Sequence, residues 1–180
     1  MYPSTSTRQR NTLLIILWGL LFTKCFVLEF LVHYYAVPIN SMLYVWSLSI
    51  FMATIATIVY VRLRIEEDGL KNNFPPHLAI WVASLIGMLL MVAGSFTFPN
   101  FSIMQIPSFL AVLLGLSYCT QGLMTKRLTD IFSAFGWWLG ASMLFRQVDL
   151  FGLLTFAFCI ILFTVLPALL NLVKLRKAQA

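Results

Sequence analysis

Charge is what this 180-residue chain has least of. Asp, Glu, Lys and Arg make up 10% of it, against about 25% in soluble domains. That shortage excludes a water-soluble globular domain, and it also excludes a disordered chain, which needs high net charge and low hydrophobicity. Polar stretches long enough for a separate domain, about 50 residues, are absent, so no appended catalytic or nucleic-acid-binding domain is expected. Cys25, Cys119 and Cys159 lie inside apolar runs without CxxC spacing. An odd number so placed gives neither a disulfide framework nor a zinc site, and the three are read as small apolar core residues. HExxH, GxSxG, a GxGxxG following a strand and a Walker A loop are missing as well. His33 and His77 fall at opposite membrane faces and cannot jointly ligate a haem. No catalytic residue, no cofactor and no metal site can be assembled, and the reading leans away from an enzyme.

What is abundant is hydrocarbon. Apolar residues make up 61% of the chain, and the mean hydropathy is +0.91. A spanning helix takes about 20 mostly apolar residues, so the supply suits about five or six crossings. The runs are apolar all round, without the alternation of a membrane barrel. The fold expected is therefore all-α: a polytopic membrane protein built as one bundle of six transmembrane helices. The spans are 12–34, 41–61, 77–96, 107–123, 131–145 and 150–173, between a short tail at 1–11 and a basic tail at 174–180. Arg8 and Arg10 before an apolar run resemble the start of a signal peptide, but the run continues to Val32 with no small-x-small site. An uncleaved first span is expected.

Orientation follows from the cations. Arg8, Arg10, Arg62, Arg64, Lys71, Lys126, Arg127, Lys174, Arg176 and Lys177 fall on one side of such a bundle, and only Arg146 falls in the opposite loops. Cationic flanks mark the cytoplasmic side, so both tails are expected in the cytoplasm, in the cell membrane. Tyr34, Tyr35, Tyr44 and Trp46 then form an outer aromatic belt, with Tyr60 and Trp81 at the inner face. The same arithmetic removes nucleic acid as a partner, because no basic groove with interleaved aromatics exists. The partners open to the chain are the lipid bilayer, another membrane protein or a homo-oligomer.

Ionisable groups inside spans are costly and default to functional candidates. Lys24 falls near the midplane of the first run and Glu29 in its outer third, about 140° apart on the helix wheel. Glu29 shares a face with His33 one turn on. Arg146, Gln147 and Asp149 follow the fifth run at the same outer level. The site expected is an outward-facing polar vestibule of Glu29 paired with Arg146, flanked by His33, Asp149 and Gln105. Lys24 is the further candidate, with a stem long enough to snorkel. The alternative at each is structural pairing or interface solvation. A secondary polar lining is read in Tyr118, Thr120 and Gln121, with Asn171 at similar depth, against interhelical hydrogen bonding as the plainer role.

Small residues promise close helix contacts: Gly136 and Gly140 in a GxxxG stretch, Gly115 with Gly122, and Ala53 with Ala56 and Thr57. Packing within the bundle is expected rather than a dimer seam. Pro167 inside the sixth run predicts a kink near 164–166. The fifth run, at about 22 Å, is short for a crossing. Size, six spans and cytoplasmic tails resemble in architecture the substrate-binding subunits of vitamin importers, but the small-residue motif those subunits use on their first helix is not present. Two function classes therefore stand. A non-catalytic accessory, sensory or structural membrane protein is favoured, and a small transport or solute-binding membrane subunit is the alternative.

Overall fold

The computed structural model describes residues 5–37, 40–68 and 105–177, together with Ile80, Trp81, Ala83, Ser84, Ile86, Gly87 and Leu90. Among the described residues every regular element is a helix and none is a strand, the all-α class the composition predicts. The elements are α1 (Thr5–Tyr34), α2 (Asn40–Asp68), α3 (Ile106–Thr125), α4 (Leu128–Arg146) and a last helix in three parts. Those parts are α5 (Phe151–Ile160), a π-helical turn at Ile161–Val165 and α6 (Leu166–Lys177).

Three of these helices are long and apolar enough to cross a membrane: Thr12–Tyr34, Ile106–Thr125 and Phe151–Lys177. They coincide with the first, fourth and sixth predicted runs. The second run lies in α2, whose apolar part Tyr44–Tyr60 is shorter than the other three. The third run falls largely outside the described residues. The fifth run, 131–145, lies within a longer helix that is not among those three. It belongs to α4, a helix of 19 residues and therefore about 28 Å long, which begins three residues earlier with a polar first turn.

That earlier start is set by the backbone. Lys126 ends α3 in the left-handed conformation (φ 54°), and the Arg127 N–H returns to the Gly122 carbonyl at 3.0 Å, a Schellman-type stop. Arg127 is extended (φ −103°, ψ 111°) and opens α4 at once. So tight a turn brings the start of α4 against α3 at Gly122. A Cβ there would stand 2.7 Å from Ile131 Cγ1, 3.0 Å from the Ile131 N and 3.2 Å from the Arg127 O. Only glycine admits that approach.

The chain forms two compact units, one of residues 1–73 with 160–180 and one of residues 74–159. In the first, α1 meets the π turn at Gly19, where a Cβ would lie 2.7 Å from Val165 Cγ2. The π turn answers Pro167. Proline has no N–H to donate, and its ring crowds the carbonyl four residues back. The preceding backbone widens, with the Leu166 N–H reaching the Ile161 carbonyl. The disturbance expected at 164–166 thus takes the form of a π bulge. In the second unit Trp137 is fully buried, beside Phe156 at 5.5 Å between ring centroids. Gly140 faces Cys159, whose Sγ would be 2.7 Å from an added Cβ, and Gly115 faces the Trp138 indole. The glycines predicted as contact points at 115, 122 and 140 are thus occupied by the chain itself.

Candidate functional site

Among the described residues, each unit holds a cluster of polar side chains bonded between helices. The first is a ladder between α1 and α2, with three rungs. The Trp18 indole N–H donates to Thr57 Oγ1 at 3.0 Å, Lys24 Nζ donates to Ser49 Oγ at 2.8 Å, and the Trp46 indole donates to Glu29 Oε2 at 2.8 Å. Positions climb along α1 as they descend along α2, the signature of an antiparallel helix pair. Thr57 also donates its own proton to the Ala53 carbonyl at 2.7 Å, so its oxygen is aimed at the indole. Buried Ala53 and Ser49 keep α2 slim where α1 approaches. Trp46 is held edge-on by Phe26, at 5.2 Å, and flanked by Phe22, at 6.3 Å. His33 Nδ1 donates to the Glu29 backbone carbonyl at 2.9 Å and stands 3.6 Å from Glu29 Oε1.

The second cluster is centred on Gln121. Its Oε1 accepts from the Trp81 indole at 2.6 Å, and its Nε2 donates to Asp130 Oδ2 at 3.2 Å. Ser84 and Ser117 join hydroxyl to hydroxyl, and Ser117 donates to the Leu113 carbonyl at 2.8 Å. Tyr118 is buried with its ring edge-on to Trp81 at 5.3 Å.

The candidates read from sequence are therefore distributed as follows. Lys24, Glu29 and His33 lie in the first unit, Lys24 and Glu29 each bonded to α2. Arg146 is exposed in the last turn of α4, in the second unit. Asp149 belongs to the second unit too, where its Oδ1 accepts the Gly152 N–H at 3.3 Å; this carboxylate caps the start of α5. Of the secondary lining, Tyr118 and Gln121 belong to the second cluster. Thr120 faces outward and returns its hydroxyl to the Leu116 carbonyl at 2.8 Å. Asn171 is half-buried on α6, in the first unit. Sequence reading missed Thr57, Ser49, Ser84 and Asp130 as members. It also took Trp46 and Trp81 for interfacial anchors, although an indole has one N–H that must find an acceptor.

Chemically, both clusters join helices. Lys24 with Ser49 has the composition of a Ser–Lys nucleophile pair. Ser49, however, sits in mid-helix, where the backbone N–H groups are bonded along α2 and none is turned toward an oxyanion. Among the described residues no three His, Cys, Asp or Glu side chains approach closely enough to hold a metal ion.

Asp130 stands ahead of the apolar run of α4, and burial pushes its carboxyl above the ordinary carboxylate range, opposed by the Gln121 hydrogen bond and by Arg127 nearby. A raised folded value stabilises the fold fully below the unfolded value and loses that contribution as pH rises through the folded one. Asp130→Asn should therefore flatten the decline in stability from acid to neutral pH, as followed by denaturant unfolding in detergent. An identical pH slope in both proteins would refute the assignment.

No protein-family model matches the chain, and no curated protein or solved structure matches it.

Proposed function

We propose that this is a multi-pass integral protein of the cell membrane, with six crossings and both tails in the cytoplasm, whose role is non-catalytic: an accessory or structural component. One observation carries the reading. Polar side chains at span depth are bonded from helix to helix, Trp18 to Thr57, Lys24 to Ser49 and Glu29 to Trp46. Large apolar side chains are exposed in each unit, Leu48 and Phe51 in the first and Phe132, Leu139 and Phe158 in the second. A water-soluble protein rarely carries so much exposed apolar surface, whereas a lipid-facing one needs it.

A double-mutant cycle between Glu29→Gln and Trp46→Phe tests the role of the polar groups. Unfolding in bilayer discs should give a coupling of about 0.6 kcal/mol, the average for interhelical hydrogen bonds in membranes, and no more than about 1.7 kcal/mol. Coupling near zero, together with saturable stabilisation of the parent by a small solute that Glu29→Gln abolishes, would replace this reading with the solute-binding subunit.

A further inference from the structure

The outward face of α1 is not uniform hydrocarbon. Between Thr12 and Tyr34 its exposed side chains are Leu13, Leu17, Leu20, Lys24, Leu31 and Tyr34. They follow one another at four- and three-residue steps, with one seven-residue step across half-exposed Val27. Those steps place them on one face of the helix, at the spacing a helix–helix contact uses. Lys24 sits in its middle. Thr12–Tyr34 is the apolar span, so Lys24 is ten residues from the nearer end, about 15 Å, a distance its four methylenes only partly cover. An ammonium has three N–H groups; among the described residues Ser49, an uncharged hydroxyl, takes one.

We infer that this seam docks a transmembrane helix of another protein, one that carries an Asp or Glu at the depth of Lys24. A carboxylate supplies both the countercharge and the acceptors that a lysine in hydrocarbon lacks, and attraction across a low-dielectric seam is strong. A single polar position within an apolar seam also sets register and orientation. A second copy of the chain does not fit, because twofold pairing through the same face brings Lys24 against Lys24. Glu29, the acidic residue of α1, is bonded to Trp46 on α2. The apolar face of α2, with Leu48, Phe51, Ile55 and Ile58 exposed, carries no charge and is left to lipid.

This inference rests on the membrane-spanning accessory reading and names the partner's chemistry. The test uses the full chain in phosphatidylcholine vesicles with leucine-rich transmembrane peptides of matched length, bearing Glu, Leu or Lys at the centre. Energy transfer reports association, and protease protection reports insertion of the chain. The Glu peptide should associate at least about tenfold more tightly than the Leu peptide. Lys24→Met should remove the difference, Lys24→Glu should transfer the preference to the Lys peptide, and Leu48→Ala should change nothing. Equal binding of Glu and Leu peptides by an inserted chain overturns this inference alone. So does a preference that survives Lys24→Met, or self-pairing of the chain through Leu20. A chain that fails to insert overturns the membrane reading with it.

Discussion

Trp137→Ala will lower the unfolding free energy by about 3 to 5 kcal/mol, as large aromatic truncations in close-packed interiors do. Trp137 is 0% exposed and lies against Phe156, with Ala134 and Ala141, both buried, on its own helix. On the proposed six-crossing reading α4 lies in the bilayer and no water is expelled when this ring is buried, so the loss is one of contacts and of the cavity left behind. Phe135→Ala, on the exposed face of the same helix, should change stability by no more than about 0.5 kcal/mol. Steady-state unfolding in mixed detergent measures both; similar values for the two would mean that α4 does not bury the face described.

Gly122→Leu should cost about 3 kcal/mol, at the upper end of the range for overpacking. Two of the three atoms a Cβ would meet at Gly122 are backbone, the Ile131 N and the Arg127 O, and neither can rotate aside. Relief would require opening the Lys126–Arg127 turn, which loses the Arg127 N–H bond to the Gly122 carbonyl. Leu123→Ala, one position on and 65% exposed, should be close to neutral. The same unfolding assay decides it; a Gly122→Leu protein as stable as the parent would contradict the close α3–α4 approach.

Much of the helix layout is legible in the residues. The run 12–34 is the apolar span of α1, and Pro107 marks the first turn of α3 because proline suits that position. The start of α4 is not legible by the same means. Hydrophobicity places it at Ile131, whereas the backbone of Lys126 and Arg127 starts it at Leu128 and takes Thr129 and Asp130 into the helix. Composition also signals a disturbance at Pro167 without its form, since a π turn depends on which carbonyl the Leu166 N–H can reach.

The polar clusters divide along the same line. Residue type picks out Lys24, Glu29 and Gln121, because charged and amide groups are rare in hydrocarbon. It does not reveal their partners, which come from another helix and depend on register. Trp46 reads as an interfacial aromatic, yet its indole bonds Glu29. Ser49 reads as a small residue in an apolar run, yet it accepts from Lys24.

The most direct measurement is the sidedness of the tails. With Cys25, Cys119 and Cys159 replaced by alanine, single cysteines are introduced at Ser6, Gln179 and Asn100 and exposed to a membrane-impermeant thiol reagent. Six crossings with a cationic cytoplasmic face predict that the cysteine replacing Asn100 reacts from outside intact cells. The cysteines at Ser6 and Gln179 should then react only once the cytoplasmic face is opened. Labelling of one tail from outside while the other stays protected would contradict it.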